Sequence, residues 1–303
     1  MQKISVAIVG WGNIGKACKR AISECSDMVL AGVVRRATSM AHCDDPELEN
    51  IRIVSDITQL KGVDVALLCI PSREVPQRVK EYHALGICTV DGYDEHQRIA
   101  ALRRELDISA KVKKVVSIIS AGWDPGTDSL VRALMKVVSL TGHSTTTFGG
   151  EKGGRSMGHT AQVKSIAGVK DAVALTLANG RGKHKRRVYV ELQEGADLEQ
   201  IKQAILSDPY FKFDPTEIIP VESIHPYNTL HHSATIERTG MEVNQVYTVS
   251  GTNPEFTANI MVASARACMN AYNKEEFGTY TFIERPIIEY LPGNNIDEKL
   301  EGY

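Results

Sequence analysis

The sequence predicts an α/β protein: a Rossmann-type doubly wound parallel sheet, with a second α+β domain built on a mostly antiparallel sheet. Three observations carry this. The chain opens on an apolar run, Ile4-Ser5-Val6-Ala7-Ile8-Val9, that feeds directly into Gly10-Trp11-Gly12-Asn13-Ile14-Gly15. Strand-length apolar runs then alternate with helical periodicity as far as Val138, a pattern that implies right-handed crossovers and parallel strands. Beyond that point strand-like segments dominate, and a final helical pattern from Pro254 to Asn273 follows. The expected division is 1–123 plus 252–303 for a dinucleotide-binding domain and 124–251 for the second domain.

The first turn carries a G-x-G-x-x-G pattern in the context that gives it meaning. Ile14, Ala17, Cys18, Ala21, Ile22 and Cys25 recur at the spacing of a buried helix face, so the order is strand, tight turn, helix. Gly10 lets the chain turn, Gly12 admits a pyrophosphate close to the backbone, and Gly15 lets the helix pack on the strand. The helix N-terminus offers unpaired N–H groups to the anion. The next strand, Met28 to Val34, ends in Arg35-Arg36-Ala37-Thr38 rather than in the acid that holds a ribose 2′-hydroxyl. Two guanidinium groups suit a 2′-phosphate, so the expected cofactor is NADP; the competing explanation is a pair of solvated arginines.

With 303 residues, 43% of them hydrophobic, the chain has enough apolar material for two ordinary cores. The net charge of −2, with both signs interspersed, gives no reason to expect nucleic acid or a membrane surface as partner. Apolar runs are far shorter than a membrane span, and the chain enters a strand with no charged leader, so a cytoplasmic location is expected. The six cysteines, at 18, 25, 43, 69, 88 and 268, show no metal-ligand spacing and read as reduced, structural thiols.

Further strands are expected at 51–54, 65–70, 87–90 and 115–120. In such sheets ligands bind beyond the carboxyl ends of the strands. Those ends carry Cys69, Pro71 and Ser72, the loop Asp91-Gly92-Tyr93-Asp94, and the loop Gly122-Trp123-Asp124-Pro125-Gly126. Asp94 and Asp124 are therefore candidate acids, with helix capping as the plainer explanation for Asp124. Gly154-Arg155-Ser156-Met157-Gly158 spells G-x-S-x-G, but a glycine-rich loop replaces the strand that a nucleophile elbow needs; a helix is expected to start near His159-Thr160. The basic run Lys183-His184-Lys185-Arg186-Arg187 is either a solvated hairpin or a strand with one arginine turned inward for a carboxylate. Adjacent His231 and His232 would face opposite ways on a strand, so they do not read as a metal pair.

Over nearly its whole length the sequence resembles the meso-diaminopimelate dehydrogenase family. The resemblance rests on VAIVGWGNIG, VVRRAT, TVDGYDEH, SAGWDPGTDS, SMGHT, HKRRVYVEL, NPEFTA and YLPG. It departs at Glu151 to Gly154, which look like extra residues beside one substrate wall. The resemblance implies reversible NADP-dependent oxidative deamination of meso-2,6-diaminopimelate at its D centre, releasing ammonia. It also implies a homodimer whose middle domain binds substrate and makes the dimer contact, and a C-terminal segment that rejoins the nucleotide domain.

The same resemblance distributes the site residues. Asp94 and Asp124 would contact the reacting D-amino acid end, with Trp123 shaping the site. Phe148, Thr176, Arg186, His232 and Asn253 would hold the remote L-amino acid end, and Met157, Gly158 and His159 would border the substrate. Cofactor contacts would come from Gly10, Trp11, Gly12, Asn13, Ile14, Arg35, Arg36, Cys69, Pro71, Ser72, Gly92, Tyr93 and Asp94. The chemistry agrees: an amine must lose a proton before it can become an imine, and carboxylates can hold ammonium and take protons. Two other readings stand beside this one, an NADP enzyme that accepts a broader range of D-amino acids and a non-catalytic NADP-binding regulator. The regulator would need neither acid.

Overall fold

The first strand of the chain sits inside its largest sheet, hydrogen-bonded on both sides to parallel neighbours. A computed structural model describes residues 3–39, 45–150, 153–229, 231–293, 297 and 300. The chain divides into two units, Met1–Leu130 with Pro254–Tyr303 and Val131–Asn253.

The first unit runs β1 (Ile4–Val9), α1 (Asn13–Ser23), β2 (Met28–Val34), β3 (Ile53–Val54), β4 (Val65–Leu68), α2 (Val75–Ala84), β5 (Cys88–Asp91), α3 (Ile99–Lys113) and β6 (Val116–Ile119). α4 (Thr127–Val138) leaves it, and α7 (Asn253–Asn273) and β14 (Gly278–Thr281) complete it. Among the described residues its strands form one seven-stranded sheet in the order β14-β6-β5-β4-β1-β2-β3, with every pairing parallel. Order reverses between β1 and β4, which is the topological switch point of a doubly wound sheet.

Strand alternation explains why both faces need cover. Val6 and Ile8 of β1 join Leu67 and Val90 in a core that includes Ala17 and Cys18 of α1 and Met261 and Ala265 of α7. Ala7 and Val9 point the other way, into a core with Leu68 of β4 and with Val79, Tyr82 and Leu106 of α2 and α3. Successive residues lie on opposite faces, so an unbroken apolar run is the signature of a strand covered on both sides. Burying a side chain such as Ile8 or Leu67 completely contributes about 1.5–3 kcal/mol, which gives the sheet its rigidity.

The second unit contains β7 (His143–Phe148), β8 (Gly154–Arg155), α5 (Met157–Lys164), β9 (Val169–Ala178), β10 (His184–Leu192), α6 (Leu198–Ser207), β11 (Thr216–Val221), β12 (His231–Thr239) and β13 (Asn244–Thr252). It is not one open sheet. Among the described residues the strands form a four-stranded sheet, β11-β10-β9-β8, and a three-stranded one, β13-β12-β7. All their pairings are antiparallel except β10 with β11. The exception has a simple cause: β10 and β11 are joined through α6, and a helical crossover returns the chain in the same direction. α6 is started by Asp197, whose side chain accepts from the N–H of Glu199 at 2.8 Å and of Gln200 at 3.3 Å. α5 begins at Met157, two residues before the expected start.

Candidate active site

A cleft of about 310 Å³ opens at the switch point of the first unit. Val9, Gly10, Trp11 and Gly12 line it from the end of β1, Arg35 and Arg36 from the end of β2, and Cys69, Ile70 and Pro71 from the end of β4. Gly10 has φ +97°, and a Cβ there would stand 2.3 Å from the Cys69 carbonyl oxygen, so only glycine fits. Gly12 is the N-cap of α1, makes no side-chain cap, and has nothing within 4 Å of where its Cβ would be. The first N–H groups of α1, at Asn13 and Ile14, have no acceptor within the helix, the kind of donor that a pyrophosphate can engage, although Gly12 and not these two residues lines the cleft. Trp11 is held by Asp45, whose Oδ2 accepts from the indole Nε1 at 2.9 Å and pairs with Lys16 Nζ at 2.6 Å. Lys16, then Trp11, then the Glu47 amide hold the Asp45 carboxyl down at about 2.

The cleft and its donors fit NADP. Arg35 is half-buried and Arg36 exposed, and the sequence reading missed four further polar lining residues, Ser39, Ser55, Glu74 and Arg78. Arg78 Nη1 is braced by Glu81 Oε2 at 2.8 Å, and its guanidinium lies 5.8 Å from the Tyr82 ring centroid. The packing of α2 against β5 and α3 brings it there, so no spacing in the sequence announces it.

Parallel pairing of β5 and β6, with Thr89 opposite Ser117 and Val90 opposite Ile118, sends the two acidic loops from the same sheet edge. Asp94 is exposed, and its Oδ1 accepts a 2.6 Å hydrogen bond from the Ser72 hydroxyl; Ser72 Oγ in turn accepts from the Asp94 amide at 3.2 Å. Gly92 is half-buried and Tyr93 buried in the turn that leads there. Asp124 Oδ1 lies 4.0 Å from His96 Nε2, a neighbour that the sequence reading did not include. Trp123 is buried, with its ring 4.9 Å from that of Phe256.

The second unit assembles its own polar cluster. Thr176 lies opposite Arg186 across β9 and β10, and Arg186 Nη1 donates to Thr176 Oγ1. Arg186 also holds Asp214, with Nε to Oδ2 at 2.8 Å and Nη2 to Oδ2 at 2.7 Å. Its side chain is 14% exposed, so of the basic run it is Arg186 that turns inward, while Arg187 pairs with exposed Glu217. The Phe148 amide donates to His184 Nε2 at 2.9 Å, and the Phe148 ring lies 6.0 Å from that of His232. A Cβ on Gly154 would meet His232 Nδ1 at 2.5 Å, so this glycine sets how closely β8 approaches β12. His232 is buried and His231 exposed, facing opposite ways, and the described residues contain no metal-ligating cluster.

His159 sits in the first turn of α5, after Met157 and Gly158. Its Nε2 donates to the Tyr210 carbonyl at 2.9 Å, leaving Nδ1 to accept from the Ser156 hydroxyl at 2.7 Å. The Ser156–His159 pair therefore lacks the carboxylate of a hydrolytic triad, and Ser156, at φ −88° and ψ 116°, lacks the strained elbow. Asn253 opens α7. Of the segment Glu151 to Gly154, residues 151 and 152 lie outside the described ones, as does Cys43. The signal for Asp214 and His184 was weak: Asp214 is remote in sequence from Arg186, and His184 reads as part of a solvated run.

A doubly wound nucleotide domain with cleft-lining arginines at the end of β2 and two carboxylates at the ends of β5 and β6 defines a dehydrogenase of the NADP type. No family model matches the sequence. Meso-diaminopimelate D-dehydrogenase of Bacteroides fragilis is 44% identical over 299 residues, 97% of both chains. Among solved structures, the C. glutamicum DAP dehydrogenase in complex with DAP superposes with TM-score 0.87 at 28% identity, covering 99% of each chain. An engineered D-amino acid dehydrogenase bound to NADP+ gives 0.86 at 26%, covering all of both. The chain belongs to the meso-diaminopimelate D-dehydrogenase family.

Burial lowers the imidazoles of His159 and His232 to about 4, with the Arg186 charge adding to the effect, and burial alone does the same to His83 in the first unit. Unfolded imidazoles titrate near 6.5. Between these values the unfolded chain binds more protons, so this contribution to stability is full above roughly pH 6.5 and is lost as pH falls toward 4. The thermal midpoint should fall by at least about 5 °C from pH 7 to 4.5. Carbon chemical shifts of these three rings should show them neutral at pH 5.5; titration near 6.5 would refute the assignment.

Proposed function

We infer that this chain catalyses the reversible NADP-dependent oxidative deamination of meso-2,6-diaminopimelate at its D centre. The products are L-2-amino-6-oxopimelate, which cyclises to tetrahydrodipicolinate, and ammonia, a step of lysine biosynthesis. The observation that carries the reading is the placement of Asp94 and Asp124 on the loops after neighbouring strands, in the unit that holds the nucleotide cleft.

When bound, NADP supplies a hydride acceptor at nicotinamide C4. The N–H groups at the start of α1 hold its pyrophosphate, and Arg35 and Arg36 hold its 2′-phosphate. Asp94 and Asp124 bind the ammonium of the D centre, and one of them takes the proton that frees the amine lone pair; the same groups orient the water that adds to the imine. Ser72 ties down one Asp94 oxygen, so the carboxylate keeps a fixed direction while its other oxygen stays available. Trp123, packed on Phe256, forms an apolar wall that limits solvent. At the L-amino acid end Arg186 binds the carboxylate, with Phe148, Thr176, His232 and Asn253 around it and Met157, Gly158 and His159 beside the substrate. Neutral His159 and His232 leave Arg186 as the cation of that cluster at pH 7.

The second unit also serves as the dimer contact, in a cytoplasmic homodimer whose domains are bounded as residues 1–123 with 252–303 and 124–251. Its exposed apolar side chains support this: Leu134, Val137 and Val138 on α4, with Leu140, Met241 and Val246 nearby in sequence or on β13, are 55–91% exposed.

Three measurements test these assignments. Production of NADPH from NADP should be confined to the meso isomer, with the L,L and D,D isomers and simple D-amino acids turned over at least tenfold more slowly. Comparable rates on simple D-amino acids would favour the broader enzyme. Asp124→Asn should lower kcat by about 10²-fold or more while NADP binding persists; normal turnover would remove Asp124 from the mechanism. Replacing Arg35 or Arg36 by Gln should weaken NADP by about ten- to hundredfold and leave NAD almost unchanged, and equal losses for both cofactors would sink the 2′-phosphate role.

A further inference from the structure

We propose that Asp91, which lies in the core and outside the cofactor and substrate contacts, is the positioning residue that fixes both acidic loops with one carboxylate oxygen. The proposal rests on the reading of Asp94 and Asp124 as the catalytic carboxylates.

Asp91 is the last residue of β5 and is fully buried. Its Oδ1 accepts two backbone hydrogen bonds, from the Tyr93 amide at 2.9 Å and from the Ser120 amide at 3.1 Å. Tyr93 immediately precedes Asp94, and Ser120 opens the segment that leads through Trp123 to Asp124. The Asp91 backbone adds a third tie, its carbonyl accepting from the Ala121 amide at 2.7 Å. The β5–β6 ladder runs only through Thr89–Ser117 and Val90–Ile118, so the Asp91 side chain and carbonyl continue the joining of the two strands past the end of their pairing.

Ser120 shows what this junction must hold. Its φ is +55°, the left-handed region, which disfavours a residue with a side chain. The turn it starts is tight: the Gly122 amide donates to the Pro125 carbonyl at 3.1 Å, and the Thr127 amide to the Gly122 carbonyl at 3.2 Å. A change of φ at Ser120 is therefore carried to Asp124 rather than absorbed on the way. Among the described residues neither Asp91 Oδ2 nor Ser120 Oγ has a hydrogen-bond partner, although both are buried, so the arrangement carries a desolvation cost. The carboxyl feels that cost: burial pushes it up to about 6 against the two amides that favour its charged form. An apolar residue would avoid the cost and would leave two buried amides unanswered.

The experiment compares Asp91→Ala, Asp91→Asn and the double variant Asp91→Ala/Ser120→Gly, each for kcat, for NADPH affinity, and for Trp123 fluorescence in a Trp11→Phe background, since the chain has two tryptophans. Asp91→Ala should lower kcat about ten- to hundredfold, as small misplacements of reacting groups do, with NADPH affinity within about twofold and Trp123 emission shifted to the red. Asp91→Asn keeps an accepting oxygen and should stay within about threefold of the parent in kcat. Glycine adopts φ +55° without strain, so the double variant should recover at least about threefold in kcat and move Trp123 emission back. Asp91→Ala with parental kcat and emission overturns the proposal, as does a loss of NADPH affinity as large as the loss of kcat. If Asp94→Asn and Asp124→Asn both keep full turnover, the catalytic reading falls; Trp123 emission in the Asp91 variants still decides the clamp.

Discussion

β1 pairs with β2 through Ile4 to Val9 on one side and with β4 through Val6 to Val9 on the other, and the strand order reverses across it. Crossovers from this point run to opposite faces, so the loops beyond β1 and β4 separate and leave a crevice that no side chain has to fill. The same constraint crowds the backbone just below: Gly10 stands so close to Cys69 that a Cβ would overlap its carbonyl oxygen. Cleft and crowding are two results of one strand order. The N–H groups of α1, the arginines after β2 and the serine after β4 are useful because this strand brings their three loops to one edge.

Charge is distributed with a logic that follows from burial. In the first unit the carboxylates near the cleft differ in their surroundings: Asp94 is exposed and held by a hydroxyl, whereas Asp91 is buried and pushed up to about 6. The exposed group is open to solvent, and the buried one holds backbone. In the second unit a guanidinium, Arg186, is partly buried beside Asp214, and the imidazoles around it are kept neutral by burial and by its charge.

Local signals were readable wherever chemistry and chain neighbours coincide. The glycines at 10, 12 and 15, the missing acid at the end of β2 and the acidic loops after β5 and β6 are contiguous patterns, and alternation alone located most strands. The number of sheets in the second unit was not readable. Strands such as β7 and β9 look alike in alternation, and only their partners, β12 for one and β8 and β10 for the other, separate a three-stranded from a four-stranded sheet. The basic run by itself did not tell Arg186 from Arg187; the resemblance named Arg186, and the register of β10 on β9 puts it opposite Thr176. Asp214 escaped notice because it meets Arg186 only through strands paired across a long stretch of sequence, and Arg78 because its helix periodicity does not say that it lines the cleft.

The sequence by itself determined the periodicities, the glycine and arginine chemistry of the nucleotide loops and the pair of acids, because each depends on residues a few positions apart. Tertiary structure alone decided which strands share a sheet, which arginine turns inward and which of two nearby aspartates is exposed. Asp91 and Asp94 stand three positions apart in one loop motif and are chemically identical. One ends in the core with its oxygen on two amides and the other at the surface beside Ser72, because desolvation is set by what packs around a residue rather than by what adjoins it in the chain.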